Sequence, residues 1–312
     1  MSLTISEIAD KVACGGDISA NTGKLGCLSL FGTPDNLLLL KRGFKIPGNQ
    51  AFDLTYLKPL IMDGTIIPLM GASAFEDLSA EDTYSTNSSG IKRLNLKGLP
   101  EYKLMFEEGH EFYRQMNKLQ SFKGWDLIIG DEAGNWILST NADGSFGGFT
   151  AGHITPELTK RKVQGGDSEM KSLLIQFTNR LQWDVNYAVL NAGQLDFYAE
   201  DVPTVNGVDL DFTVAPSNSD TTLSVTALLN SDHDTKVIGL LAGNFILKVN
   251  GATVVPTVNE TPDGTYVLTI SSISTGDVVS LGLWDASLNV DVTDLTNVLY
   301  RATPLLTATV VA

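Results

Sequence analysis

The chain contains 312 residues, of which 43% are hydrophobic and 18% are charged, a balance typical of a folded globular protein rather than a disordered one. At about 150 residues per domain, this length predicts two domains. The 21 basic and 36 acidic side chains give a net charge of −15, which would repel a phosphate backbone and argues against nucleic-acid binding.

The sequence contains no apolar run long enough to cross a membrane. Its longest runs, residues 37–40 and 66–70, are far shorter than the ~20 residues that a membrane-spanning helix needs. The first residues lack the basic start and apolar stretch of a secretory signal, which predicts synthesis in a cytoplasm. In that reducing compartment, Cys14 and Cys27 are expected to be small buried side chains rather than a disulfide or redox pair.

The first ninety residues are predicted to be an arm followed by short strands. Residues 1–35 combine a short helix at 6–13 with glycine-rich turns, and we interpret them as an arm or packed loop. Residues 36–70 contain apolar runs broken by prolines and glycines, which favours strands between turns. Residues 76–90 are rich in Ser, Thr, Asp and Glu and are predicted to form an exposed loop.

One amphipathic helix is predicted over residues 101–120. Its apolar stripe recurs at spacings of four and three and consists of Met105, Gly109, Phe112, Met116 and Leu119. Gly109 on this stripe would let another backbone approach closely. The carboxylates Glu107, Glu108 and Glu111 lie elsewhere on the helix. We interpret them as part of a solvated face rather than as an acid–base pair.

After residue 124 the hydrophobic period changes to two, which predicts antiparallel strands. Strands at 125–129 and 135–140 flank a turn, and strands at 154–163 and 169–178 flank a second turn. That second turn contains Gly165, Gly166 and Asp167. From Leu173 to Val189 the apolar side chains occupy odd positions, so residues 181–189 are predicted to be a strand of a half-buried sheet.

The composition shifts near residue 205. Residues 211–312 carry few charges and contain short strands rich in Thr and Val, separated by turn groups such as Asn250-Gly251. About one hundred residues with some seven short strands is typical of an immunoglobulin-like sandwich. The strands predicted here cover residues 223–229, 245–249, 266–270, 278–284 and 305–311.

No catalytic, cofactor-binding or metal-binding residue is predicted, so we expect a structural or binding protein rather than an enzyme. Asn141, Asp143 and Ser145 have the spacing of a calcium loop, but Gly152 stands where the bidentate glutamate would be, which favours a plain turn. The glycines at 165–166 lie between two strands, unlike those of a phosphate-binding loop. The histidines, for which we find no shared motif, are His110, His153 and His233.

The order of these elements resembles the tail tube (major tail) proteins of tailed bacteriophages. The resemblance covers roughly residues 36–200 and rests on four segments, namely the helix 101–120, the hairpin 125–140, the segment 154–177 and the strand 181–189. It implies a mainly β fold: an antiparallel β-sandwich or barrel with one flanking helix (36–205), followed here by an outward immunoglobulin-like sandwich (211–312).

The resemblance also implies partners and a location. Subunits of that family join into a hexameric ring, and the rings stack into a tube that conducts DNA without binding it specifically. The chain would then associate with itself and with other tail proteins in the virion. An acidic lumen would let DNA slide without sticking, and a ring forms when a heterologous interface closes.

Other functions remain open at this point. The chain could be a connector ring or a capsid decoration protein, because residues 1–100 exceed what a minimal tube subunit needs. As part of a tail, residues 213–312 could project outward and touch glycans weakly. The chain could also be a surface adhesin that binds glycans through Trp284, Tyr266 and Tyr300, although such aromatics are more often sandwich core. A hydrolase would need two carboxylates facing one cleft, and no such pair can be nominated.

Overall fold

The computed structural model describes residues 3–12, 31–122, 124–160, 169–261, 264–295, 298–302 and 304–312. In this part of the chain the fold is mainly β with largely antiparallel pairing, so the predicted fold class is confirmed. The chain divides into two compact units. Unit 1 contains Met1–Lys58 and Thr65–Val202, and unit 2 contains Pro59–Gly64 and Pro203–Ala312.

The described helices and strands are as follows. The helices are α1 (Ile5–Val12), α2 (Leu54–Met62), α3 (His110–Asn117) and α4 (Arg180–Asp184). Up to residue 190 the strands are β1 (Pro34–Lys41), β2 (Ile66–Leu69), β3 (Ala74–Asp77), β4 (Thr83–Thr86), β5 (Lys92–Leu96), β6 (Glu101–Phe106), β7 (Ser121–Phe122), β8 (Trp125–Asp131), β9 (Trp136–Thr140), β10 (Phe146–Gly147), β11 (Phe149–Pro156), β12 (Lys171–Phe177) and β13 (Tyr187–Leu190). The later strands are β14 (Val205–Phe212), β15 (Thr222–Leu229), β16 (Phe245–Val249), β17 (Ala252–Val254), β18 (Thr257–Glu260), β19 (Thr265–Thr269), β20 (Val278–Leu283), β21 (Thr293–Leu295), β22 (Val298–Ala302) and β23 (Leu306–Thr309).

Strand β8 lies at the centre of the main sheet of unit 1. Strand β1 pairs with one edge of β8, in the register Leu37↔Ile129, while β9 and β11 share the other edge. From β1 the sheet continues to β2, and from β9 it continues to β10 and β13. From β11 it extends through β12 and β6 to β3, with β7 also beside β11.

The central strands of unit 1 are buried on both faces. Leu37 and Leu39 pack into one core, and Leu38 and Leu40, which point to the opposite face, are fully buried as well. On that opposite face the Trp136 ring contacts the Phe52 ring edge-on, with the ring centroids 6.4 Å apart. Burial on both faces explains why the sequence of β1 is a continuous apolar run rather than an alternating one.

The helix predicted over residues 101–120 is wrong in its first half. Residues 101–106 form β6, whose Leu104 lies between Leu173 of β12 and Phe75 of β3. Two strands pairing with it bury alternate side chains of β6, and this tertiary pairing outweighs the helical spacing. The helix α3 begins only at His110. Gly109 stands just before it with open space around its Cα, so no close packing requires that glycine.

The strand predicted over residues 181–189 is also wrong. Residues 180–184 form α4, and only Tyr187–Leu190 is a strand, paired with β9. Leu181 and Val185 are 60% and 70% exposed, whereas Trp183 stacks on Phe149 with ring centroids 4.2 Å apart. Packing this one indole against the core therefore decides the local conformation, and the alternation of apolar residues does not.

A second helix replaces part of the strand region predicted for residues 36–70. Asp53 caps α2, because its Oδ1 accepts a hydrogen bond from the Tyr56 N–H at 2.9 Å. The two strands β1 and β2 of the same region are present as predicted. The single helix predicted for residues 36–205 is thus joined by two others, α2 and α4, in the described residues, while α1 lies where a short helix was predicted for residues 6–13.

The described part of the predicted N-terminal arm is packed against unit 1. Ile5 and Ile8 of α1 are buried, and the Ile5 N–H donates to the Gln50 carbonyl at 2.9 Å. Cys14 and Cys27 lie outside the described residues, so the prediction about them stays a prediction.

Unit 2 consists of two sheets around a shared core. Six strands follow the order β18-β19-β15-β14-β22-β21, and four follow the order β17-β16-β20-β23. Val225 and Tyr266 from the first sheet and Leu247 and Leu281 from the second are fully buried together. Strands β14 and β22 pair in parallel. The five predicted strands are present, each within two residues of its predicted ends, while the immunoglobulin-like arrangement stays a prediction.

No helix in the described ranges is both long and apolar enough to cross a membrane.

Candidate self-association surface

A two-stranded ribbon leaves the body of unit 1 between β3 and β6. These two strands pair in the register Asp77↔Tyr102, and the ladder continues where the Leu78 N–H donates to Glu101 O. Beyond that point β4 and β5 form a separate two-stranded sheet. We call residues 78–99 the arm. At ~3.3 Å per residue, its paired strands β4 and β5, which have four and five residues, span about 13–17 Å.

The arm corrects the predicted loop over residues 76–90. These residues are largely exposed, as expected, but they contain the end of β3, all of β4 and the turn that follows it rather than an irregular loop. The turn at the tip is built by Asn87, whose Oδ1 accepts the Ser89 N–H at 3.1 Å and the Ile91 N–H at 2.8 Å. Side-chain acceptance of this kind is how asparagine stabilises tight turns.

The arm exposes large apolar side chains. Tyr84 and Leu94 lie directly opposite each other across the ribbon and are 57% and 44% exposed. The other exposed large apolar side chains of the arm are Leu78, Ile91, Leu96 and Leu99. An isolated two-stranded ribbon is marginally stable in water, and clustered exposed apolar side chains indicate an interaction site.

The arm also carries basic charge on an acidic molecule. Its three basic residues are Lys92, Arg93 and Lys97, and its two acidic residues are Glu81 and Asp82. The arm therefore has a net charge of +1, and the remainder of the chain has −16. Opposite charges favour docking of the arm on an acidic surface, which a second copy of the chain supplies.

Arg180 of α4 binds both strands of the arm where they leave the body. Its Nη1 is 2.5 Å from Asp82 Oδ1 on the outgoing strand and donates to Gly98 O on the returning strand at 2.8 Å. The Gly98 N–H donates to Asp82 Oδ1 at 2.8 Å. This backbone hydrogen bond, followed by the interaction with Arg180, lowers the pKa of Asp82, and the hydrogen bond that Arg180 donates to Asp82 raises the pKa of Arg180.

Gly98 is required by the close approach of the two strands. A Cβ at this position would lie 1.6 Å from the carbonyl oxygen of Ala80, a backbone atom that cannot move independently. The two strands of the ribbon therefore approach each other closely beside the Arg180 contacts.

Beside Arg180, the surface of α4 and its following turn is apolar. Leu181, Val185 and Tyr187 are exposed, although each is a large hydrophobic residue. Asp184 of the same helix is 3.5 Å from Lys97 Nζ of the arm. The apolar surface of α4 and the base of the arm are thus close to each other within unit 1.

A carboxylate pair lies at the start of β1. The ladder between β1 and β8 skips Asp35, which is a β-bulge beside the Pro34↔Asp131 pair. Asp131 is buried, and its carboxylate accepts the Gly32 N–H at 2.7 Å and the Asn135 N–H at 2.8 Å. Burial, followed by repulsion from Asp131, raises the pKa of Asp35 to about 6.

The raised pKa of Asp35 predicts a pH-dependent stability. A folded-state pKa of about 6 against the ordinary value of 3.8 means that ionised Asp35 destabilises the fold, and this cost appears as pH rises between those two pKa values. We expect Asp35→Asn to raise the free energy of unfolding by about 1–2 kcal/mol at pH 7, after allowance for solvent screening. Urea unfolding of both proteins at pH 4 and pH 7 measures this difference.

The control for this prediction is Asp234→Asn, which changes an exposed carboxylate in unit 2. It is expected to change stability by less than about 0.5 kcal/mol at either pH. An equal effect of Asp35→Asn at both pH values would contradict the prediction, because a protonated Asp35 should leave little to gain at pH 4.

The remaining sequence motifs do not assemble into a site. Asp143 pairs with Lys45 at 2.6 Å and accepts the Ser145 N–H at 3.1 Å, which describes a turn. The hydrogen bond from Lys45, then those from Ser145, lower the pKa of Asp143. Across the described ranges, no group of three or more His, Cys, Asp or Glu side chains could hold a metal ion.

The other predicted positions have simple structural surroundings. Glu107 and Glu108 are exposed just before α3, and Glu111 is partly exposed within it. His110 Nδ1 lies 3.6 Å from Glu169, and His233 Nδ1 lies 3.0 Å from Asp209. His153 lies within β11. The residues Gly165, Gly166 and Asp167 are outside the described part of the chain.

The aromatic side chains that would form the platform of an adhesin, Tyr266, Tyr300 and Trp284, are buried or partly buried. Tyr266 is fully buried, and its hydroxyl donates to Val237 O at 2.7 Å. Burial is the main cause that raises the pKa of Tyr266 to about 12. Tyr300 is partly buried against the same core, and Trp284 is also partly buried.

Neither a protein-family model nor a curated protein matches the sequence of this chain.

Sequence reasoning missed the arm and its contact with Arg180. The alternation of polar and apolar residues over 93–97 could have indicated a strand, and Thr and Tyr in residues 83–86 favour strands as well. No local pattern could have paired Arg180 with Asp82, because 98 residues separate them.

Proposed function

We propose that this chain is a structural subunit of a bacteriophage tail that assembles with copies of itself into stacked rings forming the tail tube. In this proposal the arm of one copy docks on a second copy, and the completed tube conducts DNA during ejection. The chain has no catalytic role in this function. Unit 2 would project outward as an immunoglobulin-like domain.

The observation that carries the proposal is the arm. Tyr84 and Leu94 of this ribbon are exposed in the part of the chain that the structure describes, so a partner that covers them gains the energy of burying apolar surface. The basic returning strand of the arm suits an acidic partner, and the remainder of this chain is acidic. An arm that docks on a different patch of the next copy makes a heterologous interface, which is the type that builds rings and tubes.

The proposal predicts assembly that depends on the tip of the arm. We expect the purified chain to form uniform rings or tubes with a central hole in negative-stain electron microscopy. Light scattering should show a mass that rises with concentration. Tyr84→Ser combined with Leu94→Ser removes two exposed apolar side chains and should raise the concentration for half-maximal assembly by at least about tenfold.

The matched control is Val214→Ser combined with Val255→Ser, which removes two exposed apolar side chains from unit 2. This variant should assemble like the unmodified chain. The proposal is wrong if the unmodified chain has the mass of one subunit at every concentration. Assembly of the arm variant at the original concentration would remove the arm as its basis.

A further inference from the structure

We infer that Arg180 is a positioning residue, which fixes the direction in which the arm leaves unit 1 and so makes the arm competent to dock. This inference rests on the proposed function, because it names the residue that prepares the arm for assembly. Arg180 does not touch the partner in this scheme and acts only through the arm.

The first argument is that Arg180 holds both strands of the ribbon at one point. Its Nη1 contacts Asp82 on the outgoing strand and Gly98 on the returning strand, and those two residues also bond to each other. A two-stranded ribbon can pivot where it leaves a larger sheet. A guanidinium bound to both strands there opposes that motion, and its planar donors suit several acceptors at once.

The second argument is that Arg180 is itself fixed to the core. Helix α4 contains Trp183, whose ring lies 4.2 Å from that of Phe149 and 4.8 Å from that of Phe177, centroid to centroid. Phe149 and Phe177 are fully buried. Packing of this kind holds the helix in place, so the contacts of Arg180 connect the arm to the buried core of unit 1.

The third argument is that the charges at this point are balanced and partly shielded from water. Arg180 and Lys97 face Asp82 and Asp184, with Arg180 Nε 3.2 Å from Asp184 Oδ2 and Lys97 Nζ 3.5 Å from the same atom. The side chains of Arg180 and Asp82 are 30% and 24% exposed. Networks of partly buried charges hold geometry better than single exposed ion pairs do.

The experiment compares Arg180→Gln with Arg114→Gln. Arg114 is an exposed arginine of α3 that pairs with Glu111, so its replacement removes the same charge without touching the arm. Two quantities are measured: the rate of trypsin cleavage after Lys92 and Arg93 in the isolated subunit at low concentration, and the concentration for half-maximal assembly. Thermal unfolding monitors the global fold.

We expect Arg180→Gln to speed cleavage in the arm by about tenfold and to raise the half-maximal assembly concentration by a similar factor. Arg180→Lys should restore part of the resistance to cleavage and part of the assembly, because one ammonium replaces the charge but not the set of planar donors. Arg114→Gln should change neither quantity. Unchanged cleavage and assembly in a folded Arg180→Gln protein would overturn the inference.

A second variant covers the case in which Arg180→Gln does not fold. Asp184→Asn weakens the Arg180 and Lys97 pairs at the partly exposed end of the network and should increase cleavage in the arm by a smaller factor, whereas an unchanged rate would count against the inference. The cleavage measurement needs no assembly. It therefore tests the positioning role even if the unmodified chain stays a single subunit, a result that would refute the proposed function alone.

Discussion

Replacing Gly148 by alanine is expected to lower the free energy of unfolding of unit 1 by at least about 3 kcal/mol. Gly148 lies between β10 and β11, where the chain passes from the edge of β9 to the edge of β8. A Cβ at this position would lie 2.4 Å from the Leu127 backbone nitrogen and 2.6 Å from the Asp126 carbonyl carbon. Both atoms belong to the central strand, so the clash can be relieved only by separating β11 from β8.

Urea unfolding followed by tryptophan fluorescence measures this effect, because Trp125, Trp136 and Trp183 all lie in unit 1. The matched control is Gly193→Ala. A Cβ at Gly193 would meet no atom within 4 Å, and its φ is not positive. The control should therefore stay within about 0.5 kcal/mol of the unmodified chain. Equal stability of the two variants would show that β11 does not approach β8 as closely as described.

Replacing Asp131 by alanine is the second large change, with an expected loss of about 3–4 kcal/mol. The carboxylate of this buried residue accepts backbone N–H groups from Gly32, Ala133 and Asn135, and it also accepts the Asn135 side-chain amide. Alanine would leave those donors without the charged acceptor that holds them together, and only Asp131 itself is buried, because Gly32 and Ala133 are exposed to water. The turn between β8 and β9 and the segment leading to β1 should both loosen.

Asp131→Asn distinguishes hydrogen bonding from charge in this prediction. Its amide keeps one acceptor oxygen but places an NH₂ group against a donor, so we expect a loss between those of the unmodified chain and Asp131→Ala. Hydrogen exchange should locate the effect at Gly32 and residues 133–135. A loss below about 1 kcal/mol for Asp131→Ala would contradict the role given to this carboxylate.

The assembly experiments and the unfolding experiments test different parts of the structure. The Gly148 and Asp131 predictions concern the sheet that carries the arm. The arm-tip and Arg180 variants concern side chains on or near the surface. The latter are expected to alter association while unfolding stays nearly unchanged. This separation allows the proposed function to fail while the description of the fold stands.

Local sequence patterns determined much of the sheet structure. Apolar runs, side-chain alternation and turn residues predict several elements: β1 and β8, the turn between β8 and β9, and the short strands of unit 2. The clearest case is the strand at 245–249, which has its predicted bounds. It is followed by Asn250 and Gly251, with φ of +49° and +82°, the conformation that an Asn-Gly hairpin turn requires.

Only the tertiary structure decided the conformation of residues 101–106 and 180–184. In the first segment only Met105 lies on the predicted helical stripe. Pairing with β12 and β3 on both edges made the segment a strand. The second segment alternates like a strand, yet the packing of Trp183 on Phe149 made it a helix. In both cases the deciding partners lie far away in the sequence.

The arm shows the same limit at the candidate site. The Ser, Thr, Asp and Glu content of residues 76–90 was enough to predict that this segment is exposed. The direction of the arm depends on Arg180, which is 98 residues from Asp82 and 82 residues from Gly98. A local pattern reports which face of a segment is apolar, because it reflects the period of the backbone. It carries no information about which distant side chain will complete a hydrogen bond, because that is determined only when the sheets have packed.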